Sequence, residues 1–271
     1  MDSQTIGQRS GTWGFMGFSF NAKASTKRID PYGYFRYERW RFPINKAYRP
    51  VVERRRGIEV GGPSNVFRTT LPLYHFVGAL DGVNFSCDTV WEGHIEAGDT
   101  FAYADSRTGH QFVADATDLG EIPTSTYDFL LSSNCLEHVA NPIRALTEWR
   151  RVIKPGGALV LVLPNKKSNF DHRRPVTHFE HLLDDFSRDV AEDDLTHLDE
   201  ILELHDLSRD PLAGDKSNFR ERSLKNYYNR TLHHHVFDAA LIRRLLDHTG
   251  FEIEHAAKVH TDFFALAKKR A

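Results

Sequence analysis

An α/β fold, with a mostly parallel sheet covered by helices on both faces, is the architecture this sequence predicts, on three observations. From Gly57 onward, short apolar runs alternate with stretches of helical spacing, the pattern of parallel strands joined through covering helices. Two of the runs, YDFLLSS and ALVLVLP, carry uninterrupted apolar stretches, as strands buried on both faces do. The chain has 271 residues, 40% of them hydrophobic, enough for one large core or for a core domain carrying an insertion.

The elements follow in order. Residues 1–50 form an aromatic-rich extension, with GYFRYERWRFP at its centre and no clean period. It reads as a cap packed on the core, a contact in a homodimer, or part of an acceptor site. Residues 51–271 read as a single domain. In it GIEV ends the first strand, HFVGALDGVNF holds the second, HQFVADA is the third and YDFLLSS the fourth. NPIRALTEWRRVIKPGG is a helix capped by Asn141, started by Pro142 and ended by Pro155, Gly156 and Gly157. ALVLVLP is the fifth strand. Between residues 166 and 232 the composition turns polar, and this stretch reads as an insertion forming a lid over the acceptor site. It contains DDLTHLDEILELHDL, an amphipathic helix with Leu195, Leu198, Ile201 and Leu202 on one face. A further helix, capped by Asp238 and stopped at Gly250, precedes a closing pair of strands.

The formal net charge of -2 gives no general attraction to nucleic acid or to an anionic membrane. The short basic runs at Arg54–Arg56, Lys166–Lys167 and Arg173–Arg174 read as solvated surface. Two cysteines, Cys87 and Cys135, without paired metal-ligand spacing fit a reducing cytoplasm. The first 20 residues show no secretory pattern, and the longest apolar run falls far below the roughly 20 residues that a membrane helix needs. The expectation is a soluble cytoplasmic protein without nucleic-acid binding or membrane insertion.

The string IEVGGPS ends a strand in an acidic residue and a glycine turn. Later, YDFLLSSNCLEHVANPIRALTEWRRVIKPGGALVLVLPN gives strand, LEHV, proline-started helix, RVIKPGG and strand in that order. Together they resemble the class I S-adenosylmethionine-dependent methyltransferases, of the methyltransferase domain 11 type, over about Gly57–Leu163 and the closing helix and strands. The resemblance implies a Rossmann-like fold with a seven-stranded sheet and S-adenosylmethionine as cofactor. It places Glu59, Gly61, Gly62 and Pro63 in the turn under the cofactor, and Asp115 with Ala116 at the adenine edge. Ser133, at the end of the fourth strand, joins the same site. The family's ribose-binding acid falls on Asn84, an amide that still hydrogen-bonds hydroxyls; Asp81 is the alternative acid. A nicotinamide dehydrogenase would need the third glycine of its fingerprint, which this turn lacks.

Transfer of an activated methyl needs an aligned acceptor and, for a hydroxyl, a group to take its proton. Histidine does this most often, and the sequence has 15. His138, following the fourth strand at the carboxyl end of the sheet, is the first candidate base, with Glu137 to orient it. Glu137 and His138 are equally a candidate Mg²⁺ site, as in a related group of quinone-precursor methyltransferases. In His233-His234-His235, an extended backbone sends His233 and His235 to one side and His234 to the other. His234 is the catalytic candidate of the run, and His233 and His235 are candidate substrate ligands. NFDHRRPVTHFEH adds His172 and Arg173 as substrate ligands, beside Asp171, His178 and His181.

SSNCLEH stands where adenine-methylating enzymes carry their proline-aromatic motif, which argues against a DNA base as acceptor. The polar insertion favours a sugar hydroxyl in a glycan, polysaccharide or oligosaccharide precursor, and the insertion is similar to bacterial methyltransferases associated with polysaccharide assembly. The alternatives are O-methylation of a small phenolic or quinone-like metabolite, and a cofactor-binding, non-catalytic partner subunit.

Overall fold

The computed structural model describes residues 46–259 and 261–271. The aromatic extension, residues 1–50, therefore lies outside the described residues except for its last five, which open a helical stretch over 46–52.

One eight-stranded sheet organises the chain, in the order β5-β6-β2-β1-β7-β8-β10-β9. β1 (Arg56–Val60) lies at its centre, between β2 (Ala79–Asn84) and β7 (Tyr127–Ser133), both parallel to it. β6 (Arg107–Val113) and β8 (Ile153–Pro164) extend the parallel part on either side. The closing strands β9 (Phe251–Val259) and β10 (Asp262–Lys269) pair with each other antiparallel, and β10 also pairs antiparallel with β8. This is the Rossmann-like methyltransferase fold, with one strand more than the seven expected. The extra strand is β5 (Gly98–Ala104), antiparallel to β6 at the sheet edge. Only Phe101 and Tyr103 of β5 are buried, so it has no apolar run to betray it. β3 (Asp88–Thr89) and β4 (Gly93–His94) make a separate small hairpin after β2.

Both faces of the sheet are covered, because β7 sends successive apolar residues to opposite sides. Leu130 packs with Leu146, Trp149, Leu241 and Leu245 on one side, under the helices Pro142–Val152 and Ala239–His248. Phe129 and Leu131 pack with Tyr48, Val52, Phe67 and Tyr74 on the other. A small satellite core of Ile201, Ala213, Phe219 and Leu232 holds the insertion together. No helix among the described residues is long and apolar enough to cross a membrane.

Three local expectations are corrected. The helix that begins at Pro142 ends at Val152, and Pro155, Gly156 and Gly157 lie within β8. There a Cβ on Gly157 would stand 2.7 Å from the Asp128 carbonyl oxygen, so glycine lets β8 close onto β7. The insertion's amphipathic helix is shorter than its leucine pattern and covers only Leu198–Leu204. Upstream, the Asp194 carboxylate accepts from the Thr196 amide and hydroxyl, a local turn that competes with helix. Finally, Arg174 is not solvated surface but one of the most deeply buried side chains.

Candidate functional site

The chain runs from β1 out to β2 and β6 on one side and returns to β7 and β8 on the other, so a crevice opens where the order reverses, at the carboxyl ends of β1 and β7. A cleft of about 600 Å³ fills it. Gly61, Pro63, Asn84, Asp115, Ala116, Ser133, Glu137, His138 and His233 all line this cleft, so nine of the sequence-predicted residues come together.

The floor is the glycine turn. Gly61 has φ +80°, and a Cβ there would lie 2.8 Å from both Cβ and Sγ of Cys135, so glycine is required twice over. Glu59 and Gly62 are not among the lining residues. Glu59 lies fully buried behind the turn, where it accepts from the Ser64 amide (3.0 Å) and the Tyr74 hydroxyl (2.5 Å). Burial pushes its carboxyl up to about 7. A Cβ on Gly62 would stand 2.3 Å from the Glu59 Cδ, so that glycine makes room for this brace. Asn84, at the end of β2, donates from Nδ2 to the Gly62 carbonyl at 2.8 Å and ties the second strand to the turn. Asp81 is not a substitute acid: its carboxylate accepts from Arg56, Tyr127 and the His110 amide, away from the cleft. Asp115 accepts from Thr117 and pairs with Arg230 at 3.1 Å. Ser133 Oγ is buried without a hydrogen-bond partner.

The opposite wall is built from histidine and carboxylate. His138 ends a one-turn helix, Leu136–His138, after β7. Its orienting partner is not Glu137 but the Leu232 carbonyl, 3.1 Å from Nδ1. A carbonyl only accepts, so Nδ1 carries the hydrogen and Nε2 keeps its lone pair. Burial, then the neighbouring His233, hold the ring well below the usual histidine range, hence neutral. Glu137 is buried with Oε2 unpartnered, and burial lifts it to about 7.

His233 is held differently. Its Nδ1 lies 2.5 Å from Asp171 Oδ2, and Asp171 Oδ1 pairs at 3.1 Å with the buried Arg174 guanidinium, which also donates to the His233 and His234 carbonyls. Burial opposes charge on the ring, but Asp171 and then Glu137 outweigh it, so the His233 pKa is raised. Asp171 sits at about 2: burial works against its charge, and His233 and Arg174 overcome it. The His138 and His233 rings meet edge-on, 4.5 Å between centroids.

The other candidates lie elsewhere. His234 does not line the cleft; it meets Asn226 at 3.0 Å and Glu192 at 3.6 Å, which removes it from the catalytic role expected of it. His235 donates to the Ala140 carbonyl and does not line the cleft. His172 and Arg173 both face Asp206, at 2.8 and 3.4 Å, and do not line the cleft. His178 is exposed. Sequence reasoning missed Trp91 and Glu92, which the small hairpin hangs over the cleft, as well as Phe170, Glu192, Arg209 and Arg230. The Trp91 ring reaches His138, 5.2 Å between centroids. Its one legible signal was the turn-like WEG between two short polar runs.

Glu137, His138 and His233 can each offer a ligand atom within 4.8 Å of the others, but two imidazoles and one carboxylate do not suit Mg²⁺, which takes oxygen ligands. A nucleoside-bearing cofactor does fit the other wall: a backbone cradle that a Cβ at Gly61 would fill, and the orphaned Ser133 hydroxyl.

Sheet order and crevice define a protein of the Rossmann-like methyltransferase class. Within it, the family model described as methyltransferase domain (Methyltransf_23) matches residues 32–256, and the chain belongs to that family. It is a different model from the domain 11 type. Among solved structures the chain is similar to an S-adenosylmethionine-dependent methyltransferase from Mesorhizobium loti, at 16% identity over 86% of this chain and 98% of that one, TM-score 0.49. A protein from Pyrococcus horikoshii shows 15% identity over 90% and 94%, TM-score 0.47. A methyltransferase from Aquifex aeolicus shows 14% over 89% and 99%, TM-score 0.44. No curated protein matches the chain.

Proposed function

We propose that the protein is an S-adenosylmethionine-dependent O-methyltransferase, that its acceptor is a sugar hydroxyl of a glycan or its precursor, and that a histidine takes the hydroxyl proton. The observation that carries this reading is the Asp171–His233 pair in the wall facing the glycine turn. A carboxylate on Nδ1 fixes the tautomer with Nε2 free and stabilises the imidazolium formed when Nε2 takes a proton. His233 therefore replaces His138 as the preferred base, with Asp171 as its positioning residue.

When bound, the cofactor supplies a methyl group already activated on a sulfonium. Gly61, Pro63, Asn84, Asp115, Ala116 and Ser133 are the residues to hold it, and Glu59 holds the turn. Alignment of the acceptor can supply about 7 to 11 kcal/mol of the barrier, and a general base about 10²- to 10⁴-fold in rate. Glu192, Arg209 and Arg230 supply the polar groups that ring hydroxyls need, while Phe85, Trp91 and Phe170 add apolar lining of the kind a sugar ring packs against. Those same three aromatics favour the second reading, a small phenolic acceptor.

The test is to incubate the protein with labelled S-adenosylmethionine and two acceptor panels, oligosaccharides with sugar nucleotides and small phenols, and to locate the label by mass spectrometry. Label on a sugar oxygen is the expected result, and label on phenols alone would replace it by the second reading. Failure to bind S-adenosylhomocysteine in a calorimetric titration would overturn the cofactor assignment and bring the non-catalytic reading forward.

A further inference from the structure

A second cluster of imidazoles lies outside the cleft. His181 and Asp185 stand one turn apart on the helix Phe179–Ser187 and so share a face. His197 immediately precedes the helix Leu198–Leu204, and His235 lies in the run leading to the last helix. These positions are up to 54 residues apart in sequence, yet one nitrogen from each of the three rings lies within 4.8 Å of the others.

The hydrogen bonding in this cluster is left incomplete. His181 Nε2 is 2.8 Å from His197 Nε2 and 3.1 Å from Asp185 Oδ2. Two imidazole nitrogens at that distance need one proton between them, yet the carboxylate asks for the same proton. His235 donates from Nε2 to the Ala140 carbonyl at 3.0 Å, which leaves its Nδ1 as a bare lone pair, and that atom is buried with no partner. Asp185 Oδ2 is likewise buried without a well-aimed donor, although it also lies 3.7 Å from His235 Nε2. The other Asp185 oxygen accepts from Arg188 at 3.4 Å. Acceptors thus converge in a half-buried place with too few hydrogens to serve them.

We propose that His181, His197 and His235, with Asp185 as the fourth ligand, form a site for a divalent first-row transition cation, for which Zn²⁺ is the natural probe. Three imidazoles and one carboxylate make the N/O ligand set and the count of four that Zn²⁺ takes in closed sites. The Ala140 carbonyl on His235 is the outer partner that ligating histidines characteristically have, since it fixes which nitrogen keeps its lone pair. The cation would pin two helices of the insertion to the run that carries His233, two residues from His235. It would act by holding that wall in place and would not touch the acceptor. The site stands independently of the function proposed above.

The experiment is calorimetric titration of the chelator-stripped full chain with Zn²⁺, repeated on His181→Ala and His197→Ala, both only partly buried, and on a Glu137→Gln, His138→Ala double variant. The expected result is one equivalent of Zn²⁺, weakened by about 10²-fold or more in each of the first two variants and unchanged in the third. Because an alanine variant can fail to fold, Co²⁺ is added to the unaltered protein as a second readout, with intense visible d–d bands of a four-coordinate site expected. No stoichiometric Zn²⁺ binding and no such bands would overturn the proposal. So would binding that survives in both single variants and disappears in the double one, which would put the ion in the cleft.

Discussion

The two walls of the cleft are made from different materials. The β1 wall is backbone: a left-handed glycine, a carbonyl held by Asn84 and an amide held by Glu59, with charge kept behind the turn. The insertion wall is side chain: Asp171, Arg174 and His233 form a buried charged chain, and Glu137 and His138 stand beside it. A backbone wall suits a ligand of constant shape, because amides and carbonyls are fixed by the fold. A side-chain wall suits proton transfer, because only side chains change charge. The contrast predicts that substitutions on the second wall alter turnover and its pH dependence, while those on the first alter cofactor affinity.

The largest expected effect is on the insertion wall. Asp171→Asn keeps the shape of the pair but removes the charge that raises His233. Turnover should fall by about 10²- to 10⁴-fold while S-adenosylhomocysteine affinity stays within a few-fold. A base works unprotonated, so in the unaltered protein the rate should rise with pH through a midpoint above the usual histidine value. Without Asp171, burial is the largest influence left and lowers the ring, so the midpoint should move to lower pH. A pH–rate profile with an unmoved midpoint would separate Asp171 from the base and return the role to His138.

Gly61→Val tests the other wall and should act through affinity. The added Cβ meets Cys135 at 2.8 Å and the residue would be held at φ +80°, a conformation β-branched side chains resist. Overpacking of this kind costs about 1 to 3 kcal/mol, so S-adenosylhomocysteine should bind roughly 5- to 150-fold more weakly. Affinity intact in this variant would mean that the turn is not the cofactor's floor.

The same contrast explains what was legible in the sequence. The β1 wall is written locally: a strand end, a glycine turn and an acid lie within five residues of one another, and Gly61, Pro63 and Ser133 all line the cleft. The insertion wall is written at long range. Asp171 and His233 are 62 residues apart, and nothing near either one announces the other. Simple alternation put His233 and His235 on one side and His234 on the other. Instead, the three rings enter three separate surroundings: the Asp171 pair, the Asn226–Glu192 pocket, and the Ala140 carbonyl beside His181 and His197. In DHRRP, His172 and Arg173, the expected substrate ligands, turn out to Asp206 while Asp171 and Arg174 turn inward, because the chain makes a short helical turn over Phe170–Arg173.

The smallest effect sharpens the comparison most, because it asks whether the β1 wall tolerates a charge. In the resembling family an acid stands where Asn84 does, so Asn84→Asp would by analogy strengthen the hold on ribose hydroxyls. The structure predicts the opposite sign. Asn84 Nδ2 donates to the Gly62 carbonyl at 2.8 Å in a buried place, and a carboxylate has no hydrogen to give. The substitution would set two acceptors against each other and leave that carbonyl unpaired, at about 1 to 3 kcal/mol, partly recovered if the new carboxylate reaches a ribose hydroxyl. The expected outcome is S-adenosylhomocysteine binding weakened by no more than about 10-fold, with turnover at saturating cofactor unchanged. Tighter binding would show that the amide had occupied the acid's place without acquiring a role of its own, and that the turn stays closed without it.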